Sequence, residues 1–160
     1  RNEGTGFLSP TPQVTVTIPA TSSRVLSVGA YDSKLQSYAD FSGRGYTDSK
    51  RTIGVVNAGL VKPDIAAPGV DITAPLATGT GTGCAAFSGT SFATPIVSGS
   101  AALFMEWGIV RRNDPFLYGE KLKAYLRAGA RALRGEKEYP NDRVGYGALC
   151  VSQSFAKNGI

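Results

Sequence analysis

The chain has 160 residues, the size of one domain, and its 42% hydrophobic and 18% charged residues are typical of a globular protein. Seventeen Lys and Arg against twelve Asp and Glu give a net charge of +5, much of it between residues 121 and 137. No basic patch with interleaved aromatic residues indicates a nucleic-acid partner, and no apolar run approaches the ~18 residues of a membrane span, so neither partner is expected.

The numbers of cysteines and histidines limit which disulfides, metal sites and catalytic bases this chain can contain. Cys84 and Cys150 are far apart and form no Cys-x-x-Cys pair, so neither a disulfide framework nor a zinc site is expected. The chain contains 0 histidines. Because histidine is the usual general base near neutral pH, a hydrolase that depends on one is incomplete within these residues.

The first half of the sequence predicts an irregular start followed by strands. Residues 1–12 are rich in Gly, Ser, Thr and Pro and have little periodicity. The alternation Val-Thr-Val-Thr-Ile at residues 14–18 predicts a half-buried strand. The denser apolar stretch 25–30 predicts a strand inside a parallel sheet. Residues 43–60 are interpreted as a long surface loop, and residues 70–76 as another short strand.

The most informative stretch runs from Phe87 to Trp107. Small and hydroxylated residues precede an apolar run, an order that predicts a tight loop leading into a buried helix. Ser91 would then lie near the helix N-terminus, where unpaired N–H groups and the positive end of the helix dipole meet. A hydroxyl nucleophile there has donors already directed at an oxyanion. Ser and Thr are also common helix caps, so a purely structural role stays open at this point.

Two further helices are predicted towards the C-terminus. Asp114 followed by Pro115 is a typical pair of N-cap and first helical residue, and apolar residues recur at helical spacing from there to Ala128. The aromatic residues of this helix are expected to join the core. Residues 151–157 predict a last short helix after a turn at residues 145–147.

Several motifs in fixed order resemble the subtilisin-like serine proteases, the subtilases. Residues 89–95, Gly-Thr-Ser-Phe-Ala-Thr-Pro, resemble the nucleophile motif of that family. Residues 62–69, Lys-Pro-Asp-Ile-Ala-Ala-Pro-Gly, resemble its Lys-Pro-Asp-x-x-Ala-Pro-Gly motif. Residues 28–30 and 39–45 resemble its Val-Gly-Ala strand and the Phe-Ser-x-x-Gly segment that follows, and residues 145–151 resemble its C-terminal Gly-x-Gly strand.

This resemblance implies both a fold and a domain assignment. The expected fold class is α/β: the C-terminal portion of a subtilisin-like three-layer fold, with a mostly parallel sheet and a central buried helix that starts at the nucleophile. Residues 1–160 would form a C-terminal segment of the catalytic domain, with an irregular start and first strand in 1–24 and the family match in 25–160. Residues 107–109 and 113–119 look most like the clostridial and gut-anaerobe branch, which includes spore-germination proteases.

The resemblance also implies peptide-bond hydrolysis through an acyl-enzyme. Ser91 Oγ would attack the scissile carbonyl, the Ser91 N–H would donate to the oxyanion, and Thr90 would support that charge. The catalytic His and Asp and the oxyanion Asn come from the N-terminal part of family members. Asn2 invites comparison with that Asn, but Arg1 precedes it where the family has Gly, so the role is not carried over. Asp64 is interpreted as structural, and neither a cofactor nor a metal site is predicted.

Three hypotheses therefore stand. The chain is part of a subtilase whose N-terminal part supplies the Asp, His and oxyanion Asn and whose substrates are peptides or proteins. Alternatively it is a pseudoprotease, a regulatory or binding module without a complete triad. In the third hypothesis it is a structural domain in which Ser91 only caps a helix. The isolated chain is expected to be inactive, its half-sheet edge favours dimerisation or docking of a partner, and its localisation stays open.

Overall fold

The computed structural model describes residues 8–46, 60–77 and 83–159. Five strands come before three helices in the described chain. The strands are β1 Val28–Asp32, β2 Ser37–Tyr38, β3 Ile65–Pro68, β4 Ile72–Pro75 and β5 Cys84–Phe87. The helices are α1 Thr90–Met105, α2 Gly119–Ala128 and α3 Val151–Lys157, and a π-helical turn, Glu106–Val110, continues α1. The bounds of α3 confirm the helix predicted at 151–157.

The main sheet has the strand order β2-β1-β3. β1 and β3 are parallel, with Val28 opposite Ile65 and Tyr31 opposite Pro68, whereas the short β2 returns antiparallel to β1. A parallel bridge between Ala66 and Ala148 extends the sheet beyond β3. β4 and β5 form a separate antiparallel pair. The parallel pair thus lies at the centre of the sheet, and the antiparallel pairings lie at its periphery.

Strand β3 is buried on both faces. Successive side chains of a strand point to opposite sides of the sheet, and those of β3 enter two different core clusters. Ile65 and Ala67 belong to the larger core cluster, which α1 and α2 complete, whereas Ala66 belongs to a second cluster with Tyr31 and Val144. Burial on both faces is typical of the interior strands of α/β sheets. Helix α1 packs against β1 and β3 on the face of the sheet that carries Ile65 and Ala67.

Helix α1 buries only one side. Its buried residues recur at helical spacing and are Ala93, Val97, Ser100 and Phe104. Phe104 stacks on Phe155 with ring centroids 4.0 Å apart, which joins α1 to α3. On the other side Leu103 is 55% exposed, so the expected central helix is a half-buried one in this chain.

The segment Thr90–Val110 is long and apolar enough to cross a membrane, by length and composition only. This corrects the sequence-based expectation that no apolar run approaches that length. Core helices of soluble proteins have the same properties, and this one packs against β1 and β3.

The strand predicted at residues 14–18 is wrong. These residues form turns and irregular backbone, and Val14 and Ile18 are 62% and 87% exposed. Thr15 and Val16 donate their N–H groups to a single carbonyl, that of Arg44, so no ladder forms. An alternating pattern stabilises a strand only when a partner strand and a buried face are available.

Strand β1 starts three residues later than predicted, at Val28 instead of Val25. The backbone just before β1 is engaged elsewhere: the Val25 carbonyl accepts a hydrogen bond from Lys62 Nζ (2.6 Å), and the Ser27 N–H donates to Asp64 Oδ2 (2.6 Å). The long loop predicted at 43–60 lies largely outside the described residues.

The helix predicted to begin at Asp114-Pro115 begins at Gly119 instead. The N-cap position belongs to Tyr118, and the Asp114 carboxylate accepts hydrogen bonds from two residues inside the helix, Lys121 Nζ (2.7 Å) and Tyr125 OH (3.2 Å). The preceding loop packs tightly on Gly108, where an added Cβ would lie 2.9 Å from the Asp114 carbonyl oxygen.

Asp64 is completely buried and ties three segments together. Its carboxylate accepts hydrogen bonds from Lys62 Nζ (2.9 Å), from the Ser27 hydroxyl (2.9 Å) and from Arg127 of α2. Lys123 Nζ, also on α2, lies 3.6 Å from Asp64 Oδ1. The cluster therefore joins the start of β3, the backbone before β1 and helix α2, as the structural interpretation of Asp64 predicts.

Burial raises the pKa of Asp64, but hydrogen bonds from Lys62, Ser27 and Arg127 outweigh it and hold the pKa below its usual range. A lowered folded-state pKa stabilises the fold at every pH above the ordinary carboxyl value of about 4. That contribution is lost as the pH falls from there through the lowered pKa.

We predict that Asp64→Asn lowers the free energy of unfolding at pH 7 by about 3 to 5 kcal/mol, because it leaves buried cations without their counter-charge. The variant should also lose part of the decline in stability below about pH 4. Thermal unfolding between pH 3 and 7, followed by circular dichroism, measures both effects. The control is Glu106→Gln, which breaks the exposed pair with Arg111 and should cost less than about 1 kcal/mol. An equal acid sensitivity of Asp64→Asn and wild type would contradict this assignment.

Candidate active site

Ser91 is exposed and is the second residue of helix α1, as the sequence predicts. The N-cap position belongs to Gly89, and no side-chain hydrogen bond caps the helix. The N–H groups of Phe92 and Ala93 donate to the Gly89 carbonyl at 3.0 and 3.4 Å. Ser91 therefore does not serve as the helix cap, which removes the basis of the third hypothesis.

The helix N-terminus gives this position an electropositive backbone. Thr90 and Ser91 are the first two residues of the helix, positions at which an α-helix leaves the backbone N–H without an intrahelical acceptor, and the first turn carries no acidic side chain. Thr90 is half-buried, and its carbonyl accepts the Thr94 hydroxyl at 2.9 Å. A negative charge that develops beside Ser91 would be stabilised by this arrangement.

The loop before Ser91 is anchored to the turn that follows β3. The Gly89 N–H donates to the Gly69 carbonyl (2.8 Å), and the Gly69 N–H donates to the Tyr31 carbonyl (3.0 Å). A Cβ at Gly69 would lie 2.7 Å from Ala30 Cβ and 3.0 Å from the Gly89 carbonyl oxygen. Only glycine permits this close approach, so the loop rests directly on the carboxyl ends of β1 and β3, where open α/β sheets bind their ligands.

Two side-chain contacts complete the anchoring. The Ser88 hydroxyl oxygen accepts the Asp71 N–H at 3.0 Å. The rings of Phe87 and Phe92 stack with centroids 5.1 Å apart and planes 7° apart, so the strand before the loop and the helix after it are held together. The contact between Ser88 and Asp71 was not predicted from the sequence, because these residues are 17 apart and carry no shared motif.

The other sequence candidates lie away from this loop. Asp64 precedes β3, whereas Gly69, which contacts the loop, follows it, so the strand separates the carboxylate from Ser91. Asn2 lies outside the described residues. Within the described parts of the chain, no three His, Cys, Asp or Glu side chains come together as a metal site.

A cavity of about 270 Å³ lies between α1 and α2. Its apolar wall includes Val28 of β1, Val97 and Ala101 of α1, and Leu122 and Leu126 of α2. Arg24 and Lys123 also line it. The cavity adjoins α1, the helix that carries Ser91 at its first turn.

Comparison with known proteins identifies relatives of this chain. The profile of the Subtilase family matches residues 2–147. The subtilisin-like protease SBT6.1 of Arabidopsis thaliana is 35% identical over 141 residues, which cover 88% of this chain and 13% of that protein. The chain thus spans about an eighth of the length of this relative.

Solved structures agree with the sequence comparison. The CspB protease of Clostridium perfringens is 44% identical, with a TM-score of 0.82, and the match covers 96% of this chain and 30% of CspB. The patellamide maturation protease PatA is 32% identical, with a TM-score of 0.62, over 86% of this chain and 44% of PatA. The expected α/β subtilisin-like fold is therefore confirmed, and the likeness to CspB supports the clostridial branch. This chain belongs to the subtilase family.

Proposed function

We propose that Ser91 is the nucleophile of a serine endopeptidase and that the polypeptide containing this chain cleaves peptide or protein substrates. The observation that carries the proposal is an exposed serine that does not cap its helix, although it lies at the start of one. Its loop is anchored to the carboxyl ends of two parallel strands, and relatives named as proteases share the motif-bearing region.

In the proposed reaction, Ser91 Oγ attacks the carbonyl carbon of the scissile peptide bond. An ester forms between Oγ and the acyl group, the C–N bond breaks, and the amine leaves with the proton that a general base took from Ser91. Water then hydrolyses the ester. The Ser91 N–H donates to the oxyanion and Thr90 supports that charge; loss of one such donor typically costs about 3 kcal/mol of transition-state stabilisation.

We further propose that the base, a histidine, comes from the N-terminal part of the same polypeptide, together with the Asp that orients it and the oxyanion Asn. The 0 histidines of this chain support an external base, and so does its coverage of 30% of the clostridial relative. Helix α1 offers a surface for that part, because Leu103 is exposed and a Cβ at Gly99 would meet nothing within 4 Å.

The first test of this function is covalent labelling of the natural full-length polypeptide with a fluorophosphonate probe. We expect labelling of the wild type and none of Ser91→Ala, because the probe reacts with an activated serine hydroxyl. Ser98→Ala is the matched control: it removes an exposed hydroxyl two turns along the same helix, one that donates to the Thr94 carbonyl (3.2 Å), and should leave labelling unchanged. Equal signals from wild type and Ser91→Ala would favour the pseudoprotease.

The second test uses the purified 160-residue chain. We expect neither peptide hydrolysis nor fluorophosphonate labelling, since without a base the Ser91 hydroxyl is a poor nucleophile near pH 7. Adding the N-terminal part as a separate polypeptide should restore labelling. Hydrolysis by the isolated chain that Ser91→Ala abolishes would contradict the need for an external base.

A further inference from the structure

We infer that Ser88 is a positioning residue for Ser91, acting through its hydrogen bond to the Asp71 backbone; the inference rests on the proposed function of Ser91. Ser88 lies three residues before Ser91 and is exposed, so its hydroxyl adds little to the core. Its oxygen nevertheless accepts the Asp71 N–H at 3.0 Å.

The donor in this hydrogen bond is rigidly placed. Asp71 lies two residues after Gly69, whose N–H and carbonyl are both engaged, with Tyr31 and Gly89 respectively. Asp71 itself has a φ of 53°, the left-handed conformation that Asp and Asn tolerate better than most residues. The next residue, Ile72, begins β4 and pairs with Phe87 of β5. The Asp71 N–H is therefore held between Gly69, which bonds to the end of β1, and the first residue of β4.

The loop needs such a restraint at Ser88. Gly89 separates Ser88 from the helix and, without a side chain, limits its own backbone rotation less than any other residue. Its N–H bond to Gly69 is one point of attachment, and the pairing of Phe87 with Ile72 is another, on the strand side. The Ser88 hydrogen bond is a third point, between these two, and α1 restrains the loop on the other side. Together these points fix the direction from which Ser91 enters the site.

A positioning role predicts a specific kinetic change. We expect Ser88→Ala, in the natural full-length polypeptide, to lower the first-order rate of fluorophosphonate labelling at saturating probe by about 10-fold. The probe concentration that gives half the maximal rate should change less than about twofold, because misorientation of the hydroxyl slows reaction without weakening probe binding.

A matched pair of variants keeps the test decisive even if Ser88→Ala is poorly folded. Ser88→Thr and Ser88→Val have nearly the same shape, but only threonine keeps the hydroxyl acceptor. We expect near wild-type labelling for Ser88→Thr and the about 10-fold loss for Ser88→Val, at similar thermal midpoints. Equal rates for this pair would overturn the inference.

Asp71→Asn separates the backbone donor from the side chain. It keeps the N–H and the tolerance of a positive φ, but removes the charge that pairs with Lys34 at 3.2 Å. We expect unchanged labelling, and a loss as large as that of Ser88→Val would overturn the assignment to the N–H. Absence of labelling in the wild type would overturn the proposed function and this inference together, whereas a labelled wild type with an equally reactive Ser88→Ala would overturn this inference alone.

Discussion

The structure depends on the buried carboxylate of Asp64. One acidic group accepts hydrogen bonds from two cations and one hydroxyl in three separate parts of the chain, namely Lys62, Arg127 and Ser27. A buried charge of this kind is tolerated only when it is fully paired, so the start of β3, the backbone before β1 and helix α2 have to meet in one arrangement. This constraint fixes the amino end of β3, and with it the register of the central parallel pair.

The opposite end of β3 is fixed by backbone contacts instead. Gly69 follows the strand directly, and its carbonyl accepts a hydrogen bond from the Gly89 N–H. The sheet therefore determines the position of the loop before Ser91. Close contact there depends on the missing side chain of Gly69, and the aromatic stack of Phe87 on Phe92 holds the loop from the side. A rigid strand with charges at one end and a loop at the other can hold an exposed hydroxyl in a defined direction.

Sequence patterns predicted the elements whose signals are local. The helix after Ser91 and the bounds of α3 follow from apolar spacing and composition, and the Lys-Pro-Asp segment, interpreted from the sequence as structural, carries the buried ion pair of Lys62 and Asp64. The strand at 14–18 failed because alternation says nothing about whether a partner strand is available. The N-cap predicted at Asp114 is wrong, since α2 begins only at Gly119 with Tyr118 as its N-cap. The contact of Ser88 with Asp71 joins residues 17 apart that share no pattern.

The half-covered helix α1 has a consequence for how the chain behaves in solution. Leu103 on its outer side is 55% exposed, and Val110 and Phe116 beyond its end are 74% and 71% exposed. Where such side chains form a contiguous patch, they promote self-association and aggregation. A gain in solubility when the N-terminal part is added to the chain would therefore report that this helix surface has been covered. That measurement does not depend on any chemistry at Ser91.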